Sequence, residues 1–285
     1  MKFFKKKSSE IAPSSRPRDV SSTPMKPVHH TDWRAYDEVA DDYARAVAPH
    51  FAPIAADLVA FAEVPDGGRL LDVGTGTGTV LQSASSLAAV GVDPSPPMLR
   101  NARGLNVAAA DTINLPFRND TFHAATAQFV LPLFTKLDTA LFDIVRVLRP
   151  GGVLAVATWE AGEDELSKTW RELTERAVGE EMMRDEMREL EPQTLVAENK
   201  DRLEQALRDA GLHPVRVERR KYKLQMSRDD YLTEKTTQPR GRFVQAMLRA
   251  EWPQFLEQVR ATYAATFPET LVDFRDVLLA AGTKP

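Results

Sequence analysis

The feature that most constrains the fold of this chain is a short apolar run that ends in a glycine-rich turn. Residues 69–73 read Arg-Leu-Leu-Asp-Val, and the turn Gly-Thr-Gly-Thr-Gly follows directly at 74–78. Runs that are apolar on both faces, as parallel strands covered by helices must be, recur at 89–93, 106–111, 122–128 and 153–158. With two further strands expected at 215–224 and 274–281, the sequence predicts an α/β fold with a doubly wound, mostly parallel sheet of seven strands.

The rest of the chain divides into a tail, one large domain and two helical insertions. Residues 1–30 are rich in Ser, Pro and Lys and predict a disordered basic tail, whereas residues 31–285 form the domain. Two helices are expected before the first strand, and Pro53 is placed to open the second of them. Amphipathic patterns at about 161–195 and 227–270 interrupt the alternation, and we expect these insertions to form a lid.

One turn within the alternation is predicted from its residue types. Pro150, Gly151 and Gly152 follow a helical pattern at 138–148. Proline and glycine in succession are typical of turns. We therefore expect this turn to separate that helix from the fifth strand.

The composition excludes several classes of site. The chain of 285 residues has no cysteine, so it has no disulfide, thiolate metal site, iron-sulfur cluster or cysteine nucleophile. No two of its five histidines have the i, i+3 or i, i+4 spacing that metal ligands favour, and no metal is predicted. With 37 basic and 41 acidic side chains, nothing favours nucleic acid or anionic lipid as a partner. No apolar run reaches the roughly 18 to 20 residues of a membrane span, and a cytoplasmic location is the expectation.

Three acidic residues lie at the ends of the first three predicted strands. Asp72 lies two residues before the first glycine of the turn, Asp93 ends the second strand and Asp111 ends the third. In a doubly wound sheet the carboxyl ends of the strands form the edge at which ligands bind. Glycines let the backbone approach a ligand closely, and a carboxylate about 20 residues further on reaches a ribose diol. The arrangement predicts a nucleoside-containing cofactor.

Charge and glycine spacing separate two kinds of cofactor. A dinucleotide brings an anionic pyrophosphate to the turn, where Asp72 would repel it, whereas S-adenosylmethionine (SAM) brings a cationic sulfonium and an ammonium group. The glycines are spaced G-x-G-x-G, unlike the G-x-G-x-x-G of dinucleotide sites, and the lysine of a P-loop is absent. Both observations favour SAM. A nicotinamide-dependent oxidoreductase and a SAM-binding module without transferase activity stay open as alternatives.

Four motifs in order resemble those of a known family. They are LLDVGTGTG at 70–78, VGVDPSPPML at 90–99, AADTINLPFRNDTFHAA at 109–125 and VLRPGGVLAVATW at 147–159. Residues 36–284 are similar to class I SAM-dependent methyltransferases, in the type 11 group that contains the ubiquinone and menaquinone methyltransferases. The resemblance implies a Rossmann-like fold, SAM as the cofactor and methyl transfer (EC 2.1.1.-).

The resemblance also implies roles for individual residues. Asp72 would face the amino group of SAM, Asp93 the ribose hydroxyls and Asp111 the adenine amino group. The remaining predicted cofactor contacts are Gly74, Gly76 and Gly78 beside the methionine part, Met98 on the adenine face, Thr112 with Ile113 through their backbone, and Gln128. The family usually has Ala and Asp where this chain has Thr112 and His123; we expect the first change to be silent and His123 to be structural.

The methyl acceptor is predicted less directly. The segment at 128–134 lacks the Asn/Asp-Pro-Pro-aromatic motif that holds a flipped base, which favours a small, apolar or aromatic metabolite over nucleic acid. A general base is optional; the candidates are Tyr36, Tyr43 and His50, with His29 and His30 beside them. We expect the insertions to wall the acceptor through Trp170, Met183, Phe243, Met247, Trp252, Phe255 and Tyr263, together with Phe129 and Leu133. The acceptor atom and the oligomeric state stay open.

Overall fold

The computed structural model describes residues 33–134, 136–188 and 191–285. The predicted tail at 1–30, with His29 and His30, lies outside the described residues. The strands are β1 (Arg69–Val73), β2 (Ala88–Asp93), β3 (Val107–Ala109), β4 (Phe122–Gln128), β5 (Leu148–Trp159), β6 (Val215–Ser227) and β7 (Thr270–Thr283). The helices are α1 (Ala40–Asp42), α2 (Ala52–Phe61), α3 (Thr79–Ser83), α4 (Pro96–Asn101), α5 (Leu137–Val147), α6 (Glu165–Val178), α7 (Glu180–Met187), α8 (Glu191–Ala197), α9 (Lys200–Asp209), α10 (Arg228–Thr237), α11 (Pro239–Leu248) and α12 (Trp252–Thr266).

The seven strands form one sheet in the order β3-β2-β1-β4-β5-β7-β6. β1 to β5 run parallel to one another, and β7 is antiparallel to both β5 and β6. The strand order reverses at β1, which pairs with β2 on one side and β4 on the other. This topology confirms the predicted doubly wound, mostly parallel sheet of seven strands. It also places the ligand-binding edge at the carboxyl ends of β1, β2 and β4.

The central strand explains why both faces of the sheet are covered. Leu70 belongs to one hydrophobic cluster, while Leu71 and Val73 belong to a second one on the other face. All three side chains are fully buried. Since successive residues of a strand point to opposite faces, an unbroken apolar run requires helices on both sides.

Residues 150–152 do not separate α5 from β5 as the sequence predicted, because they lie within β5. β5 already begins at Leu148, which pairs with Phe122, and pairing with β4 resumes at Val153 opposite Ala124. The register shift between these pairs is a bulge that takes up the extra residues of the Pro-Gly-Gly segment. The predicted turn is therefore an irregularity within a strand, and Gly151, with φ of 77°, supplies the backbone conformation it needs.

A segment of short helical turns precedes α2 and is attached to the sheet edge. It consists of a 3₁₀ turn at Trp33–Tyr36, α1, a π turn at Tyr43–Val47 and a 3₁₀ turn at Ala48–Phe51. The Ser95 hydroxyl donates to Asp37, and Asn101 donates to Asp41 at 2.8 Å. Arg242 of α11 forms an ion pair with Glu38. The segment therefore touches both the cofactor-side loop after β2 and the second insertion. Within the described ranges, no helix is long and apolar enough to cross a membrane.

Candidate active site

A cavity of about 340 Å³ opens at the carboxyl ends of β1, β2, β4 and β5. Most of the predicted site residues line it, namely Tyr36, Tyr43, Asp72, Gly74, Gly76, Asp93, Met98, Asp111, Thr112 and Gln128. Gly78 and His50 are not part of the lining. The strand ends thus bring together residues that are up to 92 positions apart in the sequence, from 36 to 128.

The structure requires a glycine at each of the three positions of the turn after β1, but not for the same reason. All three have positive φ, of 69° at Gly74, 53° at Gly76 and 87° at Gly78. A Cβ on Gly74 would lie 2.5 Å from Val130 Cγ1, and a Cβ on Gly78 would clash with Leu105. A Cβ on Gly76 would meet nothing within 4 Å, because this glycine faces the cavity. Gly74 and Gly78 therefore allow packing, whereas Gly76 leaves room for a ligand.

The carboxylate of Asp93 fastens the glycine turn to the loop after β2. Its Oδ2 accepts the backbone N–H of Gly76 at 2.9 Å, and its Oδ1 accepts that of Ser95 at 2.8 Å. Burial raises the pKa of Asp93 to about 6, although both hydrogen bonds oppose the rise. Each carboxylate oxygen keeps a further lone pair, so the group can still accept from a ligand hydroxyl.

Asp72 presents a buried carboxylate with one unsatisfied oxygen. Its Oδ1 accepts the Thr126 hydroxyl at 2.8 Å. Neither Oδ2 nor the buried hydroxyl of the nearby Thr75 has a partner at hydrogen-bond geometry among the described residues, although the Thr75 hydroxyl helps to lower the pKa of Asp72 against the effect of burial. Only 1% of the side chain is exposed, and this burial raises the pKa of Asp72 to about 7. A buried unsatisfied acceptor is costly, so a donor or cation is expected to complete it. The buried Oε1 of Gln128 is a second acceptor on the cavity without a partner among these residues.

The predicted adenine contacts occupy one end of the cavity. Met98 is buried in the first turn of α4, where its N–H donates to the capping hydroxyl of Ser95 at 3.2 Å. Asp111 is exposed and accepts the N–H of Ile113 at 3.2 Å. Thr112, which lies between Asp111 and Ile113 in the sequence, is buried. These residues form an apolar surface with an acid at its rim, which fits a purine ring with an amino group.

An aromatic cluster forms another part of the cavity lining. The rings of Phe129 and Trp159 are stacked, with centroids 3.8 Å apart and an interplanar angle of 5°. Phe51 packs its edge against both, with centroids 5.3 Å from each. Phe129 has a φ of 57°, a conformation that is uncommon for a non-glycine residue and often found at functional sites. Phe129 was predicted from the sequence to face the acceptor; Phe51 and Trp159 were not.

The second insertion places a buried ion pair beside these rings. Glu234 of α10 lines the cavity and receives two hydrogen bonds from Arg275 of β7, at 2.6 and 3.0 Å. Arg275 also bonds Asp273 at 2.5 Å, and its guanidinium lies 5.1 Å from the Trp159 ring centroid. Sequence reasoning missed Glu234. Its signal is a charged residue three positions after Tyr231, on the buried face of α10.

Two predicted general bases are placed in the cavity but remain protonated. Burial raises the pKa of Tyr36 to about 12 and that of Tyr43 further. A tyrosine with a raised pKa donates a hydrogen bond at neutral pH and does not accept a proton. His50, the third candidate, lies off the cavity with its Nε2 4.0 Å from Asp230. His123 accepts the backbone N–H of Arg69 at 3.0 Å, the structural role that was expected.

The prediction that apolar side chains of the insertions wall the cavity is wrong. The residues concerned are Trp170, Met183, Phe243, Met247, Trp252, Phe255 and Tyr263, none of which lines it. Five of them are buried and hold the insertions against the domain, Trp252 packs on that core, and Met247 is exposed. Apart from that of Met247, their apolar side chains pack within or against the hydrophobic core and are not available to line the cavity. The residues of the insertions and of the segment that follows the first insertion that do line the cavity are Thr194, Glu198, Glu234, Thr237, Gln238 and Pro239.

Comparison with known sequences identifies the part of the chain that builds this edge. A protein-family model described as a methyltransferase domain matches residues 71–156. The tRNA (carboxymethyluridine(34)-5-O)-methyltransferase of Arabidopsis thaliana is 32% identical over 180 residues, which are 60% of this chain and 43% of that protein. A demethylmenaquinone methyltransferase of Corynebacterium kroppenstedtii is 43% identical over 94 residues, which are 32% of this chain and 41% of that protein. The matches thus span less than half the length of these relatives.

Comparison with solved structures concerns the fold. A SAM-dependent methyltransferase of Thermotoga maritima, described as a possible histamine N-methyltransferase, superposes with a TM-score of 0.52 and 18% identity. The superposition covers 89% of this chain and 99% of that one. The two proteins therefore share the same overall fold.

Proposed function

Because the chain belongs to the class I SAM-dependent methyltransferases, we propose that it moves the methyl group of SAM to a small, apolar or aromatic metabolite. When bound, SAM supplies an electrophilic methyl group on a sulfonium. The cavity side chains would bind the two reactants, align them and exclude water.

The observation that carries the cofactor part of the proposal is the unsatisfied Oδ2 of Asp72. Asp72 lines the cavity at the end of the strand that runs into Gly74 and Gly76, and its Oδ2 is buried without a hydrogen-bond partner among the described residues. An ammonium group would complete its hydrogen bonding and favour its ionised form. An anionic pyrophosphate would do the opposite, which disfavours a dinucleotide. The open space at Gly76 fits the methionine part of the same ligand.

The proposed roles of the other cofactor residues follow from their positions in the cavity relative to Asp72. Asp93, already holding the glycine turn, would accept from the ribose hydroxyls. Met98 and the backbone at Thr112 would contact the adenine, and Asp111 at the rim would accept from its amino group. The predicted contact of Gly78 is the exception, because its φ and its packing on Leu105 serve the turn itself.

The aromatic cluster of Phe51, Phe129 and Trp159 supports a flat or apolar acceptor. Three rings within 5.3 Å of one another present an apolar surface next to the cofactor residues. A small acceptor is further supported by four of the five basic residues of β6, which are paired with acids. The pairs are Arg216 with Glu63, Arg219 with Glu160, Arg220 with Asp57 and Glu218, and Lys221 with Asp276. Paired cations are poorly suited to a phosphate backbone.

Calorimetric titration with SAM, S-adenosylhomocysteine and NAD tests the cofactor. We expect both adenosyl compounds to bind and NAD not to, and Asp72→Asn to weaken SAM binding while the exposed control Asp66→Asn does not. NAD binding with no response to SAM would favour the oxidoreductase alternative.

Incubation with methyl-labelled SAM tests the reaction and the acceptor. One arm contains a small-metabolite extract and the other purified total tRNA. We expect label in a small aromatic or apolar product, identified by mass. Label in tRNA would overturn the acceptor class, and SAM binding without any labelled product would favour a module that does not transfer the methyl group.

A further inference from the structure

Glu198 carries a carboxylate on the cavity that no described residue engages. The other four cavity carboxylates have partners, namely Asp72, Asp93, Asp111 and Glu234. Glu198 has neither a hydrogen bond nor an ion pair from its side chain to the residues the structure describes. Ionisable groups in an enzyme cavity that are not used for structure are candidates for work on the ligand.

The backbone of Glu198 is fixed beside Trp159. The hydroxyl of Thr158 donates to the carbonyl of Ala197 at 2.6 Å, and the N–H of Ala161 donates to the carbonyl of Glu198 at 3.2 Å. These two bonds lie on either side of Trp159 in the sequence. The end of α8 is thereby tied to the end of β5, next to the aromatic cluster and away from the cofactor residues of β1 and β2.

The surroundings of Glu198 suit a base. The side chain is half-buried, and its removal from water raises the pKa of Glu198 above the usual range of a glutamate. A carboxylate with a raised pKa accepts a proton more readily than an ordinary one. Because the residue is not fully buried, the proton it takes up can be returned to water.

We propose that Glu198 accepts the proton of the methyl acceptor, and that the acceptor presents a hydroxyl group on a flat ring stacked within the aromatic cluster. This inference rests on the proposed function. The acceptor oxygen forms a bond to the methyl carbon as the carbon–sulfur bond of the sulfonium breaks, leaving a neutral thioether. The hydroxyl proton passes to an oxygen of Glu198 and then to solvent, so that charge and atoms balance.

The charge of the cavity favours a hydroxyl over an amine. Five carboxylates line the cavity, and of these only Glu234 is paired with a cation that the structure describes. The carboxylate of Glu198, which no described cation offsets, stabilises a neighbouring amine as its ammonium ion, and an ammonium ion has no lone pair to attack with. A hydroxyl is neutral, keeps its lone pairs and can donate its proton to Glu198 while it attacks.

The ionisation of a bound phenol tests this inference without knowledge of the natural acceptor. 4-Nitrophenol, whose phenolate absorbs visible light, is titrated into the complex of the full chain with S-adenosylhomocysteine over a range of pH. We expect the protein to bind the neutral phenol as a donor to Glu198, so that the pKa of the phenol rises on binding. Glu198→Gln should reduce the preference for neutral phenol at least about 10-fold, since it removes a charge-assisted hydrogen bond.

Two further variants guard the interpretation. Glu198→Asp keeps the carboxylate and should retain part of the preference, and Glu172→Gln, an exposed glutamate on α6, should behave as the parent. With the acceptor found in the extract, Glu198→Gln should lower kcat by about 10² to 10⁴ with unchanged SAM affinity.

The outcomes separate this inference from the proposed function. If the parent protein does not bind SAM, the proposed function fails. If SAM binds but 4-nitrophenol does not bind the complex, or ionises alike in the parent and Glu198→Gln, only the role of Glu198 and the hydroxyl acceptor are overturned.

Discussion

The ring of Phe129 lies parallel to the indole of Trp159 at a centroid distance of 3.8 Å, and the backbone of Phe129 takes a φ of 57° to place it there. A left-handed conformation costs a non-glycine residue about 1 to 2 kcal/mol. The stacking with Trp159 and the edge contact with Phe51 offset this cost. The geometry of the aromatic cluster is therefore set by a strained backbone and the contacts that stabilise it.

We expect Phe129→Gly to be less destabilising than Phe129→Ala, by about 1 kcal/mol, because glycine adopts positive φ without strain. Both variants should lose about 2 to 3 kcal/mol from the missing ring, somewhat less than a fully buried phenylalanine. Denaturant unfolding measures the order. The control is Phe142, which is 67% exposed on α5, where glycine should be worse than alanine by about 1 kcal/mol. The same order at both positions would contradict strain at 129.

Asp72→Asn should stabilise the cofactor-free protein and weaken SAM binding. The pKa of Asp72 is about 7 in the folded chain and about 3.9 in the unfolded chain, so the folded state binds more protons between these values. The contribution of Asp72 to the free energy of unfolding therefore falls as the pH rises from about 4 to 7. Asparagine has no proton to lose, and at pH 8 the variant should gain on the order of 2 to 4 kcal/mol.

Denaturant unfolding at pH 5.5 and pH 8, with and without SAM, checks this prediction. We expect SAM to stabilise the parent more at pH 8 than at pH 5.5, and to stabilise Asp72→Asn less than the parent at both. An asparagine variant that is destabilised without SAM would show that the buried carboxylate does not oppose folding.

Substitution of the turn glycines should separate folding from cofactor binding. Gly74→Ala meets Val130 and should lose several kcal/mol of stability. Gly76→Ala meets no neighbour within 4 Å and should lose only the about 1 to 2 kcal/mol of an alanine at positive φ. Its Cβ instead enters the ligand space, so SAM affinity should fall at least about 10-fold. Calorimetry on the folded Gly76→Ala protein checks this, and unchanged affinity would move the methionine part of SAM away from Gly76.

Arg275→Lys should destabilise the protein although the charge is kept. A lysine cannot make the two parallel bonds that Arg275 makes to Glu234 and would leave part of that buried carboxylate unsatisfied. We expect a loss of about 2 to 3 kcal/mol. Arg260→Lys, on the exposed face of α12, should change stability by less than about 0.5 kcal/mol. Equal effects at both positions, measured as unfolding midpoints, would show that the two parallel bonds of the guanidinium to Glu234 add no stability beyond that of a single charge.

The cofactor half of the cavity could be predicted because its residues follow strand ends. The glycine turn, Asp72 and Asp93 are read from local patterns, and the sheet topology alone brings them together. The unsatisfied oxygen of Asp72 was not part of that prediction, because the packing around a strand end is not contained in a local pattern.

The acceptor half could not be predicted in the same way. An amphipathic pattern identifies a helix and its buried face, and it assigned Trp170 and Phe243 to the cavity when they belong to the core. Which side chain reaches a cavity depends on the angles at which the helices cross. The 3.6-residue spacing of apolar positions in a sequence does not determine those angles. Glu198 lies just after a helix end, where no periodic pattern indicates the direction of the side chain. The positive φ of Phe129 could not be predicted either, because a phenylalanine does not indicate a left-handed backbone as a glycine does.

The absence of a side chain at Gly74 constrains which substitutions this protein can accept during evolution. The space beside Gly74 is filled by Val130, the neighbour of Phe129, so the turn proposed to bind the methyl donor and the loop proposed to contact the acceptor meet at this point. A larger residue on either side would displace the other. Substitutions at Thr194 of α8 or Thr237 of α10, which line the cavity and are not among the nearest neighbours of a Cβ on Gly74, are therefore expected to change the cavity with less effect on the turn than substitutions in the loop that carries Phe129.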